Sequence, residues 1–258
     1  MYSSNRRTVV VSGILLVLLG AERARAMDPA VESAHPRVGA VIARSASPDG
    51  SYQEETGNCL LWTVADKLYT LGDLHTVMAG EEGASDHVAD QILVKVGKRS
   101  SRARLVWPRE GQRDVRTVDI AILELEGGVV GQPFEPEVFQ VAASGLPREL
   151  YLAAPGHRSK ILPLEASAVE YGSQWFIHRE LAHGDSGGMV FALEDGRVIP
   201  YGVVSAIGSI PGESARGTVM YGRDAMRIVI NQFLQARAKE AILSPRLSQA
   251  ELVAKRQP

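Results

Sequence analysis

The amino-acid sequence predicts an all-β protein built as two β units with one helix at its end. Three observations carry that expectation. Short apolar or alternating runs rich in Val, Ile, Tyr and Trp recur from residue 36 onward, separated by Gly, Pro, Asp and Ser. A Gly/Pro-rich stretch, Gly127 to Val138, divides them near the middle and reads as a linker. Only the last periodic segment places its apolar residues at helical spacing.

The strand runs of the first unit are RVGAVIA, CLLWTVADKLYTL, QILVKVG, ARLVW and VDIAILEL. Those of the second are LYLAA, QWFIH, MVFAL, VIPYGVVSAI and GTVMY. Between MVFAL and RVIPYGVV, the turn residues Glu194-Asp195-Gly196 predict a tight hairpin. After Asp224, expected as an N-cap, Met226, Val229, Ile230, Phe233 and Leu234 follow the i, i+3, i+4, i+7, i+8 rule and lay one apolar stripe along a helix. The helix is expected to stop before Ser244-Pro245, because the residue before a proline is biased away from helical geometry. The expected division is residues 27–128, 129–222, a helix over 223–243 and a polar tail over 244–258.

The first 26 residues read differently. Arg6 and Arg7 precede an apolar run, Thr8 to Gly20, and a short polar segment ends Ala24-Arg25-Ala26, the pattern of a secretory signal peptide. The run is shorter than the roughly 20 residues that span a bilayer, so no lasting membrane anchor is expected after signal removal. The expected destination is the periplasm or the medium, and Arg6-Arg7 leaves both the general and the twin-arginine export routes open.

Of 258 residues, 45% are hydrophobic and 22% charged, a globular balance. With the four arginines and one glutamate of residues 1–26 removed, the net charge is about −5, and no basic run remains to neutralise phosphates, so nucleic acid is not an expected partner. Cys59 stands alone. An internal disulfide is therefore impossible, and packing must hold the fold.

The chemistry gathers in LAHGDSGGMV, Leu181 to Val190. Five specified positions, Gly184-Asp185-Ser186-Gly187-Gly188, would arise by accident in about one such chain per thousand. Glycines around a serine allow a backbone turned to aim amides at a developing oxyanion, here those of Gly184 and Ser186. A serine hydroxyl is a weak nucleophile and needs a base with a third group to orient it. The stretch also fits Gly-x-Ser-x-Gly, the elbow of α/β-hydrolases, but there the histidine follows the serine and the serine opens a helix. All six histidines precede Ser186, and strand-like MVFAL follows it. An Asp-His-Ser order survives the order test alone, yet it calls for α/β alternation that this chain lacks.

With the order His-Asp-Ser, the sequence resembles the trypsin-like, or chymotrypsin-fold, serine peptidases, as a bacterial-type secreted member without disulfides. GDSGG carries most of the likeness. DIAILEL, Asp119 to Leu125, matches the segment holding the family's orienting aspartate, and LYTLGDLHTV, Leu68 to Val77, stands where its histidine lies. Ser205 in YGVVSAIG matches a serine whose backbone pairs with bound substrate, and GTVMYG with the following helix resembles the family's end. The likeness spans roughly residues 36 to 240. It implies two six-stranded antiparallel β-barrels with a C-terminal helix, and a serine endopeptidase acting on protein or peptide without metal or organic cofactor. The implied roles are Ser186 as nucleophile, His75 as base, Asp119 as orienting carboxylate, and the amides of Gly184 and Ser186 as oxyanion hole. His87 and Asp114 are the substitutes for His75 and Asp119.

In the same family an acidic residue six positions before the nucleophile selects basic substrates. Here that is Glu180, whose alternative is a surface pair with Arg179. His183 is expected at the cleft mouth, its alternative being a solvated loop histidine. Arg37-Val38-Gly39-Ala40 loosely resembles an activation site, whose cleavage would free a terminus for Asp185; otherwise Asp185 requires an internal Arg or backbone amides. Asp73 and Leu74 replace the family's small residues before the histidine, and Thr76 stands where a bridging cysteine would be. Cys59 is accordingly expected as a buried apolar residue. The departure at Asp73-Leu74 leaves two readings: an active peptidase, or a catalytically inactive member serving as a binding module.

Overall fold

The structure is a computed structural model that describes residues 28–47, 49–79, 87–112, 118–127, 131–140, 147, 149–165, 168–171, 174–209 and 216–254. The signal segment expected over residues 1–26 and the substitute carboxylate Asp114 lie outside them.

A short helix, α1 (Pro29–Glu32), opens the described chain, with Asp28 capping it through Ala30 N–H. Six strands follow: β1 (Val38–Ala46), β2 (Tyr52–Val64), β3 (Lys67–Gly72), β4 (Gln91–Val96), β5 (Arg99–Trp107) and β6 (Ala121–Leu125). All pair antiparallel and close into a barrel in the order β1-β2-β3-β6-β5-β4. β2 and β3 turn over Ala65 and Asp66, both at positive φ, which suits the right-handed twist of a two-residue hairpin. The barrel interior is filled from alternate positions by Val41, Leu61, Ile92, Val94 and Leu123, with Cys59 fully buried among them.

The second unit comprises β7 (Glu149–Ala153), β8 (Leu162–Glu165), β9 (Ala168–Tyr171), β10 (Gln174–Ile177), β11 (Met189–Glu194), β12 (Arg197–Ser209) and β13 (Arg216–Gly222). In place of the expected second six-stranded barrel, the described residues form a seven-stranded antiparallel sheet ordered β8-β7-β11-β12-β13-β10-β9. The added strands sit at its two ends, and β8 carries Pro163, which an edge position tolerates because one side of the strand has no ladder to complete. The predicted hairpin is present: Asp195 and Gly196, both at positive φ, join β11 to β12.

α2 (Arg223–Ala254) packs Met226, Val229, Ile230 and Phe233 into a cluster shared by both units, the stripe anticipated from the spacing. Phe233 meets the rings of Trp62 and Tyr69 edge-on at 5.9 and 5.2 Å, so the helix is joined to the first barrel by aromatic contacts as well as by buried area. Asp224 lies inside the first turn, paired with Arg227 at 2.8 Å, and is not the cap. The helix also continues through Pro245. A proline removes one helical donor and bends the axis, but strong helix formers on both sides keep the segment helical. Within the stretch read as a linker, Phe134 is docked on the first unit: it is buried and its N–H donates to Leu61 O at 2.8 Å.

Candidate active site

Asp119 stands just before β6, almost wholly buried. Its Oδ1 accepts the backbone N–H groups of Leu74 and His75, each at 2.8 Å. Its Oδ2 meets His75 Nδ1 at 2.7 Å and accepts Ser205 Oγ–H at 2.6 Å. Burial alone would raise the pKa of this carboxyl, but the hydrogen bond and charge of His75, with Ser205, outweigh it and hold the group below the usual carboxylate range. The aspartate therefore grips the histidine by both ring and backbone. His75 opens a 3-10 turn, His75–Val77, directly after β3, with its side chain partly open to solvent.

Asp73, two residues earlier, is buried against the same ring. Its Oδ2 accepts Thr76 N–H at 2.9 Å and lies 3.3 Å from His75 Nδ1. Burial pushes its pKa up, aided by the charge of Asp119 and opposed by His75. The residue read from the sequence only as a departure is thus part of the site.

Ser186 lies in the loop between Leu181 and β11. Gly184 and Gly187 both have positive φ, at 93° and 73°, and a Cβ on Gly187 would stand 1.9 Å from Asn58 O, so only glycine fits there. Neighbouring peptides of the loop are fixed: Asp185 N–H donates to Ala182 O, Gly187 N–H to Val204 O, and Gly188 N–H to Asp185 O. Asn58 secures the rest, with its backbone N–H and side-chain amide on Ser186 O at 2.8 and 2.9 Å and the same amide on Gly184 O at 3.0 Å. Among the described residues the N–H groups of Gly184 and Ser186 meet no acceptor. Two uncommitted amides on a rigid loop are the donors an oxyanion hole requires.

Ser205 connects the two units. The pairing of β12 with β13 shifts between Val204 and Ala206, and this bulge turns the Ser205 side chain to Asp119 while its carbonyl accepts Ser186 Oγ–H at 3.3 Å. Its hydroxyl thus has a partner, Asp119, that sequence reasoning missed.

The fully buried Asp185 answers the question of its partner. Arg158 donates to both carboxylate oxygens at 2.7 Å, His157 Nδ1 lies at 3.0 Å, and Ala182 N–H donates at 2.9 Å. Burial would raise the Asp185 pKa, and these bonds, Arg158 foremost, hold it low. Arg37 meanwhile donates to Gln132 O and lies over the Phe134 ring, and Val38 is buried in β1 opposite Leu60. The internal cation occupies the place for which the cleaved terminus had been considered.

Glu180 and His183, the remaining specificity candidates, have exposed side chains. Glu180 has a side chain 49% exposed and faces Arg216 Nε at 3.8 Å, rather than Arg179. His87 is exposed on the segment leading to β4, where its carbonyl accepts Ala79 N–H. Asn58, Arg158 and His157 carried no sequence signal beyond a polar residue in the apolar run NCLLW and a His-Arg pair in a loop.

No family model matches the chain, and no curated protein matches it. A solved structure, that of a thermostable serine protease from an extremophilic microorganism, is similar to it at 16% identity and a TM-score of 0.50, covering 74% of this chain and 91% of that one. The chain thus has a serine-protease-like fold.

Proposed function

We propose that the protein is a serine endopeptidase of the trypsin-like type. The observation that carries this reading is the grip of buried Asp119 on His75, joined through Ser205 to a serine whose loop presents two uncommitted amides. Ser186 Oγ attacks the peptide carbonyl, His75 takes the hydroxyl proton, and Asp119 holds the ring so that Nε2 is the basic nitrogen and balances the imidazolium that forms. The amides of Gly184 and Ser186 stabilise the oxyanion. His75 then returns the proton to the leaving amine, and water hydrolyses the acyl-enzyme by the same steps reversed.

Peptide-library cleavage tests the reading: products with new amino termini are expected from the wild type and not from Ser186→Ala. Absence of cleavage by the wild type would favour an inactive member of the fold that binds peptide in the same place. Because Arg158 already neutralises Asp185, the uncut chain is expected to be active without cleavage after Arg37. Basic selectivity from Glu180 is expected to be weak, since the glutamate is half exposed and has Arg216 beside it.

The two β units, residues 27–128 and 129–222, are read as the two lobes of the family, with the reacting groups contributed from both. Residues 1–26 are read as an export signal on the strength of their Arg-led apolar run. Amino-terminal sequencing of the exported protein tests that assignment, the expected first residue being Met27.

A further inference from the structure

The peptidase mechanism leaves Asp73 without a task, although this residue is only 3% exposed beside the base. Its two oxygens have unequal surroundings. Oδ2 has Thr76 N–H at 2.9 Å and His75 Nδ1 at 3.3 Å, whereas Oδ1 is buried with no hydrogen-bond donor among the described residues. That orphan oxygen lies over Gly187: a Cβ built there would be 2.4 Å from Asp73 Oδ1 and 1.9 Å from Asn58 O. Both oxygens therefore border the same space over Gly187. Two acceptors so placed repel unless a proton stands between them.

The ionisable groups facing Asp73 oppose one another: the charge of His75 favours its ionised form and that of Asp119 its protonated form. They are His75 from the same turn, Asp119 from the start of β6 and Cys59 from β2. Burial pushes the Cys59 thiol up to about 12, so it brings no charge. Asp119 has donors on both oxygens and is the better home for the negative charge. Two ionised carboxylates around one neutral imidazole would leave a buried charge uncompensated. Burial likewise acts on Asp73 in the direction of the protonated form.

We propose that Asp73 is a neutral carboxylic acid in the working enzyme and a positioning residue, its Oδ1 proton directed at the Asn58 carbonyl and its Oδ2 holding the His75–Val77 turn. The chain of contacts then runs from the base to the nucleophile. Asp73 ties the histidine turn to Asn58, and Asn58 in turn clamps the carbonyls of Gly184 and Ser186. A neutral Asp73 adds no second negative charge beside His75. What Asp73 positions rests on the peptidase reading; its protonation state does not.

Infrared difference spectra between the wild type and Asp73→Asn test the protonation. A protonated-carboxyl C=O stretch is expected in the wild type at neutral pH, missing from the variant; its absence from the wild type would overturn the proposal. Kinetics test the role. Asp73→Ala is expected to lower kcat/KM about tenfold or more, chiefly in kcat, while Asp73→Asn regains at least about fivefold of that loss, because an amide reproduces one donor and one acceptor without charge. An Asn variant no better than Ala would contradict the proposal. Should the wild type neither cleave peptide nor react with a fluorophosphonate, the peptidase reading fails, and the infrared band still decides the state of Asp73.

Discussion

At Asp119 a single carboxylate makes four hydrogen bonds, to two backbone amides, one imidazole and one hydroxyl. Replacement by Asn preserves the shape but turns a donor toward the ring, so it favours the wrong tautomer. Asp119→Asn is expected to lower kcat/KM by about three orders of magnitude or more with little change in KM, measured on a peptide substrate. Asn58 lies in a different position: its side chain grips the carbonyls of Gly184 and Ser186 and accepts Gly156 N–H at 2.6 Å. Asn58→Ala leaves these buried groups unpaired and is expected to cost about 2–3 kcal/mol in denaturant unfolding, with a lower kcat. Glu180→Ala, in contrast, is expected to change discrimination between Arg or Lys and neutral P1 residues by less than about tenfold in a cleavage profile, because the exposed carboxylate already faces Arg216.

At the scale of elements, the segments that could be read from the sequence are those whose local chemistry dictates their shape. Gly184 and Gly187 take backbone angles that other residues resist, so GDSGG announces its own loop. DIAILEL places an acid among buried apolar neighbours, which demands a partner. The stripe from Met226 to Phe233 faces the core as its spacing requires. What escaped reading depends on chain segments far apart. Arg158 meets Asp185 through a loop whose position tertiary packing decides, and Asn58 looks like any polar residue in a strand until the nucleophile loop is laid against it. The end of α2 escaped for the opposite reason: a local rule about Pro245 was outweighed by the helix formers around it. The Arg158–Asp185 pair carries its own prediction. Arg158→Met leaves a buried carboxylate without its cation and is expected to destabilise the protein by about 3 kcal/mol, read by chemical denaturation, and to loosen the Gly184–Ser186 loop.

For the whole molecule, the candidate site lies where two β units meet: His75 and Asp119 flank strands of the barrel, Ser186 lies in the loop before β11, Ser205 in β12 of the seven-stranded sheet, and α2 packs against both. Stability and pH are linked through the same carboxyls. Asp119 and Asp185 have folded pKa values below the unfolded value of about 3.9, so their stabilisation is complete above it and is lost as pH falls through their folded pKa values. Asp73 has the opposite sign: its folded pKa is raised, so stability declines as pH rises from about 3.9 to that value. Denaturation followed across pH is expected to show acid destabilisation below about pH 4, and Asp73→Asn is expected to remove part of the decline above it.

The central claim is that the groups around Ser186 make its hydroxyl a nucleophile, and reaction with a fluorophosphonate followed by peptide mapping tests it most directly. One adduct per folded chain is expected on Ser186, with none after denaturation and none in Ser186→Ala. A folded protein whose Ser186 stays unmodified would contradict the account.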